Sequence, residues 1–534
     1  MKYINIGNEV FASYLQSEYI DKTGMIAIVN KTIGTERRYT CVTRCRRFGK
    51  SMAANMLTAY YDKSCDSSAL FANTQIAKDP SFDQYLNKYP VIKLDITDFT
   101  TKYRNDETIV SKIQEELKVE LQELYPGITP STSESDLMDL LIAIADSTGE
   151  RFIMIIDEWD AICREFEPES KVMDAYVDWL RRMFKGSNSL RVFAGAYLTG
   201  ILPIKKYKTE SALNNFREYS MVQPQKLAEF FGFTASEVKT LCNKHGMDYD
   251  EMAKWYDGYK IGNEPSIFNP YSVMEAIASG ECDSYFAKTG TYASIANYIQ
   301  MDYNGLKDDV IRMLGGGRCL VDTTKFQNDL SIINCKDDVL TVLIHLGYLA
   351  YDKSQKQCYI PNMEVAGELT NAVEDSGWNG IIHAVKASND LLAATLAGDE
   401  EAVAKGIDAA HDENTSILSY NDENSLACVL RIAYYSAIND YILHSELGTG
   451  KGFADLVMIP RKHVNKPAII LELKYSNSAD AAIAQIHNKQ YPTKILEYMD
   501  SSNSTAHAGE ILLVGINYDK KTKLHECKIE RIVK

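Results

Sequence analysis

Residues 44–51, RCRRFGKS, stand between a β-rich run, YTCVT, and a segment, SMAANMLTAYYD, whose apolar residues recur at helical spacing. A Gly-Lys-Ser at a strand-to-helix junction constrains this chain more than any other feature. In that setting backbone N–H groups of the loop and helix N-terminus face phosphate oxygens, the lysine reaches the terminal phosphates and the hydroxyl ligates Mg2+. Lys50 and Ser51 are the candidates for the last two roles. Gly49 lies in the loop itself, and Arg46 and Arg47 are further candidates for neutralising phosphate. Arg44 stands where the G-x-x-x-x-G-K-[ST] pattern has its first glycine, which is expected to make the loop bulkier and more cationic.

Downstream, PVIKLDIT, RFIMIIDE and LRVFAGAYLTG read as strands, and Thr108 to Leu124 as a helix. Nearly continuous apolar strands between helices predict a parallel sheet buried on both faces. IMIIDE ends such a strand with Asp157 and Glu158. Asp157 is thereby expected beside the metal, with Glu158 placed to polarise an attacking water. Thr199, in LTG, falls at a strand's C-terminal end, where ligands of open α/β sheets bind, and is a candidate sensor of the terminal phosphate. Arg217 is a weaker candidate for stabilising phosphate charge. The alternative is a surface GKS turn with an ordinary strand-ending acid pair.

At 534 residues the chain exceeds one ordinary core. The texture changes near residue 215 and again near residue 389, giving expected domains at 1–214, 215–388 and 389–534. The middle region reads as mostly helical. VLTVLIHLGYLAYDKSQKQCYIPN predicts a helix followed by a small hairpin, a winged-helix-like element. No apolar run approaches the roughly 18 residues of a membrane span. MKYINIGNEVFAS lacks the features of a secretory signal, so a cytoplasmic location is expected. The 11 cysteines are scattered with no C-x-x-C pair, so buried thiols are expected rather than a zinc ribbon or disulfide framework. A net charge of −16 counts against a protein that coats nucleic acid non-specifically, but not against a local basic patch beside a carboxylate site.

The C-terminal region carries the second constellation. In AIILELKY, alternation places Ile470, Glu472 and Lys474 on one face of a buried strand and Ile469, Leu471 and Leu473 on the other. GFADLVMIP puts Asp455 within another apolar strand, where a carboxylate is costly unless paired or metal-bound. If the two strands are hairpin neighbours, Asp455 and Glu472 converge on one Mg2+ or Mn2+ ion, and Lys474 is placed to orient the attacking water. An Asp455–Lys474 structural ion pair is the alternative. Gln485, on the following helix ahead of Gln490 and Tyr491, is a candidate to reach back to the site. Glu423 is a candidate further carboxylate, with Glu446 as its competitor.

These segments resemble, in order and over nearly the whole chain, the AAA-ATPase-like proteins that carry a C-terminal PD-(D/E)XK nuclease domain. The matching stretches are YIDKTGMI, RCRRFGKS, IIDEWDAI, YLTGILPI, WYDGYKIG, IFNPYSV, LGYLAY, IPNMEV, GKGFADLVMIP, ILELKY and AIAQIHNKQY. The resemblance implies ATP and Mg2+ binding at Lys50, Ser51, Asp157 and Glu158, and a nuclease signature at Asp455, Glu472 and Lys474. The family usually has proline where this chain has Cys45, and it shares the missing first glycine. The expected fold is α/β throughout: a P-loop parallel sheet flanked by helices, a helical middle region, and a mixed-sheet nuclease-like domain. The expected function is an ATP-regulated, divalent-metal-dependent nuclease acting on DNA. The rival is a nucleotide-dependent regulatory or scaffold protein whose nuclease fold does not cleave.

Overall fold

Five runs of the N-terminal half form one parallel sheet: β1 (Tyr39–Thr43), β2 (Val91–Asp95), β3 (Phe152–Asp157), β4 (Phe193–Gly200) and β5 (Arg217–Tyr219), in the order β2-β3-β4-β1-β5. The computed structural model describes residues 2–130, 136–166, 170–204, 213–286, 305–314, 317–324, 333–375, 379–414, 440–444, 447–448, 453–460, 464–493 and 510–533, with a few single positions between them. It divides into two compact units, Met1–Phe286 with Leu320–Glu364, and Ala287–Cys319 with Val365–Lys534.

In the first unit the sheet is buried on both faces, as its apolar strands require. Val42, Ile153, Ile155 and Tyr197 pack with helix α1 (Lys50–Tyr61) on one face. Cys41, Met154, Ile156 and Leu198 pack on the other with α2 (Ile109–Leu124), α3 (Leu137–Thr148) and α4 (Lys171–Phe184). Asp136 caps α3 and shares a reciprocal capping box with Asp139, satisfying two backbone donors at the helix start. The expected strand LRVFAGAYLTG is shorter than the sequence suggests: Leu190 to Val192 belong to a short helix, and pairing begins at Phe193.

The middle of the chain adds α5 (Lys336–Leu346) followed by the antiparallel pair β6 (Ala350–Asp352) and β7 (Gln357–Tyr359), the helix and hairpin anticipated from the sequence. Glu364, 1% exposed, accepts the N–H groups of Tyr285 at 2.7 Å and Phe286 at 2.8 Å, and the Ser272 hydroxyl at 2.8 Å. Buried charge is tolerable there because both carboxylate oxygens are hydrogen-bonded.

The second unit holds a mixed sheet of β8 (Tyr441–His444), β9 (Leu456–Pro460), β10 (Ala468–Tyr475), β11 (Glu510–Asp519) and β12 (Leu524–Val533), in that order. Only β10 and β11 are parallel. α8 (Ala479–Asn488) lies between those two strands in sequence, as a parallel crossover needs. Leu471 and Leu473 join a core with side chains of α6 (Asn379–Ala397) and α7 (Glu400–Asn414), while Ile470 packs with Ile483 and Ile486 of α8. The alternation read from AIILELKY therefore holds.

Among the described residues no helix is long and apolar enough to cross a membrane. Cys41 and Cys45 are buried, and burial pushes the Cys45 thiol up to about 12.

Candidate functional site

The loop between β1 and α1 turns on Gly49, whose φ of +85° lies in the left-handed region and whose missing Cβ would meet nothing. Conformation rather than crowding selects glycine there. Lys50 begins α1 at 4% exposure, donates to the Cys45 carbonyl at 3.2 Å and lies 3.6 Å from Glu158. Ser51 follows on the exposed first turn.

Asp157 ends β3 at 1% exposure. Its Oδ1 accepts the Glu158 N–H at 3.0 Å, and its buried Oδ2 has no hydrogen-bond partner. Burial raises its pKa to about 6; the Ser51 hydroxyl pulls it down and the neighbouring Asp95 carboxylate pushes it up. Glu158 leaves the strand with φ of +48° and binds Arg164 at 2.5 Å. Arg164 also lies 3.2 Å from the buried Asp160. β4 stands between β1 and β3, and it carries Thr199, fully buried opposite Val42, with an unpartnered hydroxyl. Lys50, Ser51, Asp157, Glu158 and Thr199 thus gather at the C-terminal edge of one sheet.

Arg44 corrects an expectation. Its guanidinium turns inward, fully buried, donating to the carbonyls of Thr43 at 2.8 Å and Tyr219 at 2.7 Å and lying over the Phe231 ring. Burial lowers its pKa to about 10. The loop gains no outward charge from it, because the main-chain carbonyls beneath the loop demand a donor. Arg46 is half-buried. Arg47 stacks 3.6 Å from the Tyr271 ring and donates to the Tyr285 carbonyl at 3.2 Å. Arg217 lies on the edge strand level with Thr40, short of the sheet's C-terminal edge, 3.3 Å from Gln225.

In the second unit the hairpin condition is met: Leu456 pairs with Leu471 and Val457 with Ile470 in antiparallel register. Asp455 occupies a bend between residue pair 453–454 and β9, not the strand interior, because its Oδ2 accepts the Leu473 N–H at 2.7 Å. Its carboxylate is close enough to Glu472 to act on it electrostatically. Glu472 is 2% exposed, lies 3.3 Å from Lys474 Nζ and accepts a hydrogen bond from the Gln485 amide of α8. Its second oxygen is buried without a hydrogen-bond partner. Burial raises its pKa to about 7, reinforced by the Asp455 carboxylate and opposed by Lys474.

Gly515, opposite Glu472 on β11, explains how α8 comes so close: a Cβ there would stand 2.5 Å from the Ala479 carbonyl and 3.0 Å from Ala482. Glu423 and Glu446 lie outside the described residues.

Orphaned carboxylate oxygens at Glu472 and Asp157 fit hard divalent cations, which take one or two carboxylates and retain water. Among the described residues no group of three or more His, Cys, Asp or Glu side chains is placed to hold a metal. Sequence reading missed Arg164, Asp95 and Gly515. Asp95 ends an apolar strand just as Asp157 does, a signal that was available; the other two depend on packing.

Residues 6–209 match the family model described as a predicted AAA-ATPase, AAA-ATPase-like. Residues 421–527 match that of the PD-(D/E)XK nuclease superfamily. The chain is 25% identical over 299 residues to an uncharacterized protein in the vnfD 5′ region of Azotobacter chroococcum mcd 1, a match covering 54% of each chain. It therefore spans about half the length of that curated relative. The ORC2 protein of Aeropyrum pernix is similar at 12% identity and a TM-score of 0.31, over 69% of this chain and 98% of that one. The chain thus joins an AAA-ATPase-like domain at residues 6–209 to a PD-(D/E)XK nuclease superfamily domain at residues 421–527.

Proposed function

We propose that this protein is a cytoplasmic, ATP-regulated nuclease that hydrolyses phosphodiester bonds of DNA with Mg2+ or Mn2+. The observation that carries the reading is Glu472: a buried carboxylate with one unpartnered oxygen, faced by Asp455, Lys474 and Gln485. A carboxylate pair in that position is unfavourable without a cation. When bound, the divalent ion polarises the scissile phosphodiester and lowers the pKa of a bound water. Asp455 and Glu472 hold it, with Glu423 as a further ligand. Gln485 fixes the Glu472 rotamer, and Lys474 orients the attacking water and offsets charge on the phosphate.

In the 1–214 domain, Lys50 and the loop N–H groups take the ATP phosphates, with Gly49 allowing their approach and Arg46 and Arg47 adding positive charge. Ser51 and Asp157 hold Mg2+, Glu158 directs a water, and Thr199 reports the terminal phosphate. ATP binding there gates cleavage by the 389–534 domain, with 215–388 between them.

The test is cleavage of single- and double-stranded DNA and of RNA, with Mg2+, Mn2+ or EDTA, by the wild type and Glu472→Ala. Metal-dependent cleavage of DNA by the wild type alone is expected. Identical traces from both proteins on every substrate would overturn the nuclease assignment. That result would favour a nucleotide-dependent scaffold with a non-cleaving nuclease fold, the reading to which the net charge of −16 lends support.

A further inference from the structure

We propose that Asp95 is a second carboxylate of the divalent-cation site at the nucleotide loop, holding the ion through water beside Asp157. The assignment rests on the reading that this loop binds Mg2+ with ATP.

β2 and β3 run parallel with Asp95 directly opposite Asp157. Val91, Ile153 and Ile155 of these strands pack on the α1 face, while Leu94 and Ile156 pack on the other. Strand alternation therefore puts Asp95 and Asp157 on the same face, the one covered by α1, whose first turn carries Ser51. One Asp95 oxygen accepts the Thr97 N–H at 2.9 Å, which aims the carboxylate and leaves its second oxygen available to a water. Asp157 Oδ2 and the Thr199 hydroxyl, both fully or nearly fully buried, have no hydrogen-bond partner. Two acids side by side next to orphaned oxygens are costly unless a cation is shared between them. An octahedral Mg2+ that keeps several waters accommodates one direct carboxylate and a neighbour reached through water.

A purely structural role for Asp95 is to cap the helix Ile96–Lys102. Asparagine caps as well as aspartate, so Asp95→Asn keeps that role and removes the charge. The experiment is a titration with Mn2+ of full chains that all carry Glu472→Gln, to disable the other ion site, and the ion bound only when a non-hydrolysable ATP analogue is present is read by electron paramagnetic resonance. Asp95→Asn is expected to weaken Mn2+ binding by about tenfold, while analogue affinity in EDTA is unchanged. Equal Mn2+ affinity in the two proteins overturns the assignment of Asp95. A wild type that binds no nucleotide overturns instead the reading of the loop, and the assignment with it. Should the variant misfold, wild type loaded with Fe2+, ascorbate and peroxide supplies the measurement. Backbone cuts next to residues 95 and 157, suppressed by Mg2+, are expected; cuts at 157 with none at 95 overturn the proposal.

Discussion

Asp455 accepts the backbone N–H of Leu473 at 2.7 Å, so the acid on the bend before β9 is locked against the strand that carries Glu472 and Lys474. The bond substitutes for a ladder contact and fixes where the first carboxylate stands relative to the second. Main-chain geometry thereby sets the placement of the first carboxylate.

Glu472→Gln should trade function for stability. Burial lifts the folded-state pKa of Glu472 to about 7 from an ordinary 4.5. Between those values the folded protein holds a proton that the unfolded chain has lost, so stability falls as pH rises through this window. The glutamine variant is expected to melt higher than wild type at pH 8 in EDTA, by up to about 3 kcal/mol, and to match it near pH 4. Cleavage should drop about a hundredfold or more. In the wild type the same proton competes with metal, so cleavage should decline as pH falls below about 7.

Lys50→Ala removes the buried ammonium at the start of α1. Binding of a fluorescent ATP analogue should weaken by at least about tenfold, roughly 1.4 kcal/mol, and phosphate release should fall with it. Undiminished phosphate release would place the nucleotide site elsewhere.

Arg44→Gly restores the usual first glycine of the loop and should nonetheless harm the protein. It leaves the Thr43 and Tyr219 carbonyls without their donor and opens a void under Phe231. A loss of about 2–5 kcal/mol by denaturant titration is expected, with no gain in nucleotide affinity.

His345 supplies a pH test of the first unit. It is 1% exposed, and burial with the nearby Arg44 charge depresses its pKa from 6.5 to about 4. Both states are neutral above pH 6.5; below it the unfolded chain takes up a proton that the folded one refuses. Stability is therefore lost as pH falls from about 6.5 towards 4, by on the order of 3 kcal/mol. His345→Gln should flatten that dependence in melting experiments run across this range.

Gly515→Ala should separate the helix from the strand. Its new Cβ would meet the Ala479 carbonyl at 2.5 Å, which forces α8 outward and with it the Gln485 amide. Destabilisation of about 1–3 kcal/mol and reduced cleavage are expected, and Gln485→Ala should reproduce the second effect without the first.

The strands were legible because each is a short, nearly continuous apolar run, and burial of both faces leaves few other sequences possible. The strands YTCVT and AIILELKY coincide with β1 and β10 residue for residue. The inward turn of Arg44 was not legible, since its partner Tyr219 lies 175 positions away and only the folded sheet brings them together. The bend at Asp455 was hidden for a related reason: an apolar run does not reveal which of its residues gives up a ladder bond to a side chain. Gly515 is silent in sequence because its importance lies in an atom it lacks.

Tyr285 is held at both of its main-chain polar groups: its carbonyl accepts from Arg47 of the phosphate loop and its N–H donates to Glu364. The phosphate loop is thereby tied to backbone 238 positions away. A displacement of the Arg47 guanidinium has to break the 3.2 Å bond and unstack Tyr271, or drag the main chain at Tyr285 along with it.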